Sequence, residues 1–323
     1  MKRRKLGTTE IELPILGFGA SSIGAEFGQR DLQQSLSSAH AAIDAGLNYI
    51  DTAPYYGRAM SEVLLGFILP KYRREDLILS TKIGRYGPNH FDFSAKRVAE
   101  SIDLSLERMQ VEYIDMVFCH DIEYGDLNQV VDETLPALRR QVEKGKVRYI
   151  GISGYPMKIF KTVIPTGAID CALTYNHYNL QNDMALQLVP LAEKHNVGLI
   201  NAAPFSARLL THMPLPPWHK ATEEVRRIAK ESVDFCRSQG TYIEKLALQF
   251  SLANPSFASC LVGSARMDEI QQWLGWMDEP LDQQLIAQVQ EILKPIHNWF
   301  YVEGRPENND LDWPTSTIWK PKS

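Results

Sequence analysis

Residues 46–57 read GLNYIDTAPYYG. The first half is a short apolar run closed by Asp51, and the second is a proline-bearing loop that carries Tyr55 and Tyr56. An apolar run ending in a polar group is how a parallel barrel strand delivers a side chain to its C-terminal rim. The pattern recurs downstream, where LILSTK (77–82) ends in Lys82 and IDMVFC (114–119) is followed by His120. Five further runs complete a set of eight: ILGFGA (15–20), VRYIGI (147–152), IDCALTY (169–175), VGLINAA (197–203) and ASCLVG (258–263). Between them lie amphipathic stretches long enough to be crossover helices, among them SAKRVAESIDLSLERMQ, LNQVVDETLPALRRQVEKG and ALQLVPLAEKHN. This alternation predicts an α/β protein, a (β/α)8 TIM barrel, with its active residues at the strand C-termini and in the loops that follow.

The flanking segments elaborate that barrel. RRKLGTTEIELP (3–14) has the form of an N-terminal hairpin closing the opposite end. Residues Pro214 to Gly240 insert a proline-rich loop and a helix, and two extra C-terminal helices follow the eighth strand. Residues 298–323 form an irregular tail whose aromatic density predicts that its first part packs over the barrel mouth, the last few residues being loose. With 44% hydrophobic residues in 323, residues 1–323 are expected to form one domain.

A net charge of −5 gives no overall attraction to nucleic acid or to anionic membranes and favours a small-molecule partner. No apolar segment reaches bilayer length, and the basic MKRRKLG start is followed by TTEIELP rather than by a signal-type apolar run, so a soluble, cytoplasmic protein is expected. Oligomeric state is left open. Cys119, Cys171, Cys236 and Cys260 lack CxxC or CxxH spacing, so no metal is expected and the thiols read as buried and reduced. Cys119 and His120 are neighbours on a strand and therefore point to opposite faces, which disfavours a Cys/His nucleophile.

A tyrosine whose proton is loosened by a lysine, itself held by an aspartate, is a general acid/base unit for a sugar or carbonyl oxygen. Asp51 and Lys82 supply the charged pair, and Tyr55 and Tyr56 compete for the third role. A free phenol titrates near ~10, and a contacting ammonium is expected to lower that value. His120 would bond the reacting oxygen and fix the substrate.

The phrases LGFGASSIG, SEVLLG, STKIGRY, SLERMQVEYID, CHDIEYG, EKGKVRYIGISG and LALQFSLANP, together with GLNYIDTAPYYG, resemble the aldo-keto reductases over nearly the whole chain. Within that superfamily GRY (84–86), FDFSAKRV (91–98), HDIEYG (120–125), YNHY (175–178) and PPWH (216–219) resemble its NAD-dependent L-galactose dehydrogenase branch. The resemblance implies that the acid/base residue is Tyr56, the tyrosine before Gly57, within a catalytic set of Asp51, Tyr56, Lys82 and His120.

The resemblance also implies an extended NAD across the barrel mouth, although GFGAS (17–21) is not a Rossmann fingerprint. Its contacts would be Gly19, Ala20 and Ser21; Ser153 and Gly154 at the nicotinamide carboxamide, where many members have Ser-Asn; Tyr175, where many have Gln; and Ala202, where many have a stacking aromatic. The pyrophosphate would pass Pro204, Phe205, Ser206 and Leu209, and the adenosine would meet Gly263, Ser264 and Arg266. NADP-preferring members usually carry Lys and Arg where this chain has Gly263 and Glu269, and a carboxylate suits a ribose hydroxyl and repels a phosphate, so NAD is expected. For the substrate, Ser22, Tyr55, Arg85, Tyr86, Asp121 and Trp218 are candidates, with Glu123, Trp299 and Phe300 behind them.

The implied reaction moves a hydride from C1 of an aldose, L-galactose or L-fucose, to NAD and leaves the aldonolactone. An NADPH-dependent aldehyde or carbonyl reductase, or a nucleotide-sensing regulatory subunit, are the alternatives.

Overall fold

The computed structural model describes residues 1–24 and 31–311, with the backbone of 318–319. Eight parallel strands close into a barrel in sequence order: β1 (Leu16–Gly19), β2 (Tyr49–Asp51), β3 (Ile78–Ile83), β4 (Ile114–His120), β5 (Val147–Gly154), β6 (Cys171–Tyr175), β7 (Gly198–Ala202) and β8 (Ser259–Val262). The register places Asp51 opposite Ser80, Lys82 opposite Phe118 and His120 opposite Ser153, so three polar side chains arrive at one rim. All eight expected strands are present.

Alternation sorts the strand residues into two cores. Tyr49, Met116, Phe118, Cys171, Leu173, Ile200 and Leu261 fill the barrel interior together with Leu6, Ile11 and Leu13. These last three come from the antiparallel hairpin Arg3–Lys5/Glu12–Pro14, which plugs the end of the barrel away from the rim. The opposite strand faces, with Cys119 and Ile150 among them, pack under the helices.

Helices α1 (Leu32–Asp44), α2 (Met60–Ile68) and α3 (Ala95–Met109) follow the first three strands. α3 shows how local sequence sets an element. Ser94 caps its first turn by accepting from Arg97 N–H at 3.3 Å, and Val98, Ser101, Ile102, Ser105 and Met109 bury one face at helical spacing. Gln110 ends it in the left-handed region at φ 55°.

The next stretch, read from sequence as one helix, is instead a single α-turn at Leu127–Gln129, a π-segment at Val130–Thr134 and then α4 (Leu135–Glu143). Pro136 has no N–H to give the ladder, and the π-segment absorbs the missing bond. After α5 (Met157–Val163) and α6 (Val189–Lys194), the inserted α7 (Glu223–Ser238) precedes α8 (Ile243–Ala253). The two helices after β8 are α9 (Met267–Met277), which packs on α8 and α1, and α10 (Gln283–Leu293), which packs on α7.

A second hairpin, Arg85–Gly87 with His90–Phe91, rises from the end of β3 and has no counterpart in the sequence reading. The first part of the tail, through Asp310, does pack over the rim as expected. Arg305 N–H bonds Glu123 O at 2.8 Å, the Asn308 amide bonds the carbonyls of Glu123 and Gly125, and Asp310 accepts from Met157 N–H at 2.7 Å. The expectation of loose last residues lies outside the described ones. Among the described residues no helix is long and apolar enough to cross a membrane, and the four cysteines are buried and unpaired.

Candidate active site

At the rim, Lys82 Nζ donates to Asp51 Oδ2 at 2.6 Å and to Thr52 O at 2.8 Å, and Ser80 Oγ donates to Asp51 Oδ1 at 2.7 Å. Lys82 and Asp51 are both buried. The lysine nitrogen also lies 4.6 Å from the centre of the Tyr56 ring, close enough for its charge to act on the phenol. The His120 ring stands edge-on to Tyr56, with centroids 5.8 Å apart and planes at 87°, and at 5.9 Å from Tyr55. The structure therefore brings Asp51, Tyr56, Lys82 and His120 together. Below them the buried Glu62 of α2 accepts from Thr81 at 2.6 Å, Ser105 at 2.8 Å and Arg108 at 2.9 Å, which fixes β3 against two helices one residue before Lys82.

Burial sets the protonation of this group. It would strip the proton from Lys82, but the charges and hydrogen bonds of Asp51 and Tyr56 outweigh it and hold the ammonium above its ordinary range. Tyr56 departs from expectation: burial pushes its phenol up to about 12 and exceeds the opposing pull of Lys82. At neutral pH it is a phenol poised to donate. Burial, reinforced by Lys82 and Arg85, drives His120 well below the usual imidazole range, so it is neutral. Burial likewise raises Cys119, whose side chain lies in the barrel–helix core, and removes it as a nucleophile.

Arg85 adds the substrate side. Its guanidinium pairs with Asp121, lies 4.0 Å over the Tyr55 ring and faces Phe91 and Tyr124, which stack at 4.4 Å. Asp121 Oδ2 is 3.5 Å from His120 Nε2, and its Oδ1 is buried with no hydrogen-bond partner among the described residues. Tyr124 bonds Glu303 of the tail, and Tyr301 stacks on Tyr155 at 4.2 Å, so residues 155, 301 and 303 wall the same side. Ser22 is buried at the Gly263 side of the rim.

Tyr86 does not join this group. It points to the other face of the hairpin, where its hydroxyl accepts from Gly84 N–H and its ring meets Arg97 of α3 at 4.3 Å. Trp218 is half exposed and stacks on His219, and Trp299 is buried beyond that imidazole, with Phe300 buried next to it. Glu123 is fully buried rather than presented to the pocket. One carboxylate oxygen accepts from Tyr155 N–H at 3.1 Å, and the other fills the space beside Gly154. A Cβ at 154 would lie 2.4 Å from that oxygen and 2.3 Å from Ile159 Cδ1, so a side chain there requires both of these side chains to shift.

The remaining candidates line the mouth on the β5–β8 side. Ser153 and Gly154 end β5, Tyr175 ends β6 with its ring 5.5 Å from that of Tyr155, and Ala202 ends β7. Pro204, Phe205, Ser206 and Leu209 form the turn after β7, in which Ala203, Ser206, Ala207 and Arg208 all have positive φ. Within it the N–H groups of Ala207 and Arg208 make no hydrogen bond among the described residues.

Ala20 N–H bonds Asp51 O at 2.8 Å, which ties the Gly19–Ala20–Ser21 turn to the Asp51 strand. Gly263 faces Gly19: a Cβ there would lie 2.0 Å from the Gly19 carbonyl oxygen, so the absence of a side chain has a packing cause. Ser264 bonds Glu269, and Arg266 pairs with Asp268 and approaches Glu269 at 3.7 Å. Arg266 and Asp268, but not Glu269, line a cavity of about 580 Å³ shared with Asp31, Gln34 and Ser37. The N–H pair, the buried Ser22 Oγ and Asn176 Oδ1, which have no hydrogen-bond partner among the described residues, and this cavity suit the phosphates, amide and adenosine of a dinucleotide.

The model of the aldo/keto reductase family matches residues 15–294. The chain is 41% identical over 314 residues to L-galactose dehydrogenase of Arabidopsis thaliana, covering 94% of this chain and 98% of the relative. It is 30% identical to D-arabinose 1-dehydrogenase of Saccharomyces cerevisiae, covering 71% of this chain and 72% of that one. Among solved structures, the holo form of an aldo-keto reductase from Bacillus halodurans superposes with a TM-score of 0.76 at 25% identity, covering 96% of this chain and all of that one.

Proposed function

The chain belongs to the aldo/keto reductase family, and from that premise we propose that it is an NAD-dependent aldose 1-dehydrogenase that oxidises L-galactose at C1 to the aldonolactone, with L-fucose a weaker substrate. One observation carries the reading: the buried Asp51–Lys82–Tyr56 relay meets a neutral His120 beside the Arg85–Asp121 pair. Asp121 has an oxygen, unpartnered among the described residues, for a sugar hydroxyl, and Tyr55 gives an aromatic wall.

Bound NAD supplies the hydride acceptor. Tyr56 and His120 hold the C1 hydroxyl, and the proton leaves to the Tyr56 oxygen when that is ionised, with Lys82 stabilising the phenolate. In the reductive sense the neutral phenol gives the proton back. Arg85 orients Asp121, and the tail residues Tyr301 and Glu303 complete the wall.

For the dinucleotide, Arg266 is already engaged by the Asp268 and Glu269 carboxylates, so a 2′-phosphate would compete with two anions for it, whereas a ribose hydroxyl would not. Ser264, Arg266 and Glu269 would serve the adenosine end; Pro204, Phe205, Ser206 and Leu209 the pyrophosphate; Ser153, Gly154, Tyr175 and Ala202 the nicotinamide; and Gly19, Ala20 and Ser21 the floor. The test is steady-state kinetics on L-galactose, L-fucose, D-arabinose and D-galactose with NAD and NADP separately, with the product identified. L-Galactose with NAD should lead and yield the lactone. Preference for D-galactose, reduction of simple aldehydes alone, or tight nucleotide binding without turnover would each reject this assignment.

A further inference from the structure

His219, in the inserted PPWH loop, joins three parts of the molecule. It is buried, its ring lying near-parallel to Trp218 and Trp299 with centroids 6.2 and 6.3 Å away. Nδ1 accepts from Ala221 N–H at 3.1 Å, which leaves the ring proton on Nε2, and Nε2 faces the Ser206 carbonyl at 3.3 Å. Arg226 of α7 secures the loop by donating to His219 O at 2.9 Å and Ala221 O at 2.8 Å.

Ser206 is the first of three consecutive non-glycine residues in the left-handed region, with φ of 48°, 51° and 78° through Arg208. Such residues persist only where their surroundings hold them. Within the turn, the Ser206 carbonyl accepts only from Leu209 N–H, at 3.0 Å. The histidine supplies the external bond.

We propose that His219 is a positioning residue: its Nε2–H bond to Ser206 O holds the Ser206–Arg208 turn in the form that offers the Ala207 and Arg208 N–H groups to the dinucleotide pyrophosphate. This rests on the reading that the turn receives a dinucleotide. His219 would act on nucleotide binding and leave the chemistry at Tyr56 untouched.

The test uses the full chain with His219→Phe, which keeps a ring between the tryptophans but has no donor, and His219→Gln, which restores a donor at similar reach. Losing one hydrogen bond to a buried carbonyl should weaken NADH binding, read by fluorescence titration, about tenfold in the Phe variant. Turnover at saturating NAD should change less than about twofold, because the bond acts on binding alone. Hydrogen exchange at Leu209 and Leu210, whose N–H groups close the turn, should accelerate while exchange in the barrel strands stays as in the parent. The Gln variant should recover most of both effects.

A Phe variant with the parent's NADH affinity and exchange overturns the proposal. So does a Gln variant as impaired as Phe, which would assign the effect to ring stacking. If the parent binds neither NADH nor NADPH, the dinucleotide reading falls. Exchange alone then decides whether His219 holds the turn: acceleration in Phe with recovery in Gln upholds it, and unchanged exchange overturns it.

Discussion

Asp51→Asn changes one charge in the buried relay and almost no volume. The amide still presents an oxygen where Ser80 Oγ now bonds at 2.7 Å, but the Lys82 ammonium, held by Asp51 at 2.6 Å, loses the carboxylate it is paired with. Removing one partner of a buried ion pair costs about 3–5 kcal/mol. For a chain of 323 residues, at ~2.1 cal/mol/K per residue, the unfolding entropy at the midpoint is about 0.7 kcal/mol/K, so the melting temperature should fall by ~4–7 °C. If Lys82 instead sheds its proton, the fall is smaller, and Tyr56 loses the cation that favours its ionised form. In either case kcat for sugar oxidation should drop at least ~10²-fold. Differential scanning fluorimetry at several pH values and steady-state kinetics read the two effects. An unchanged melting temperature with normal turnover would refute the reasoning that this pair is both buried and catalytic.

Tyr56→Phe should lower kcat by ~10²–10⁴-fold with NADH affinity nearly intact, and a crippled Tyr55→Phe with a normal Tyr56→Phe would reverse the assignment. Because the Tyr56 phenol is raised to about 12, its ionised fraction grows as pH climbs toward that value, so oxidative kcat/KM should rise from pH 7 to 9 while the reductive rate does not; a flat oxidative profile would remove Tyr56 as the base. Glu269→Arg should raise the NADP/NAD ratio of kcat/KM by removing one of the anions around Arg266, and if the ratio moves instead with Asp268→Asn, the cavity-lining carboxylate is the discriminator.

The barrel was legible because each strand is an apolar run of its own, and the meeting of Asp51, Tyr56, Lys82 and His120 because each closes such a run or its loop. What escaped the sequence has physical causes. The 85–91 hairpin rests on very few ladder pairs, too short for any period to show, and its pleat decides that Arg85 enters the pocket while Tyr86 turns to α3. The burial of Glu123 depends on Arg305 and Asn308, about 180 positions later, and no local pattern encodes a contact of that range. The sign of the Tyr56 shift was missed because a neighbouring charge can be read from a motif, whereas the depth of desolvation cannot. His219 read only as part of a proline-rich phrase, since its partner Ser206 lies across a loop.

The seam between β8 and β1 also bears on how such a chain can drift. Gly263 cannot acquire a side chain without moving the Gly19 carbonyl, and that strand end is bonded through Ala20 to the Asp51 strand. A stepwise mutational path that recruits a lysine at 263 therefore passes through variants with a distorted rim and impaired chemistry. Changes of dinucleotide preference are left to residues 266–269, which are exposed or half-buried, whereas Ser264 and Ala265 are buried. The barrel's own closure thus acts as a ratchet on the evolvability of its cofactor choice.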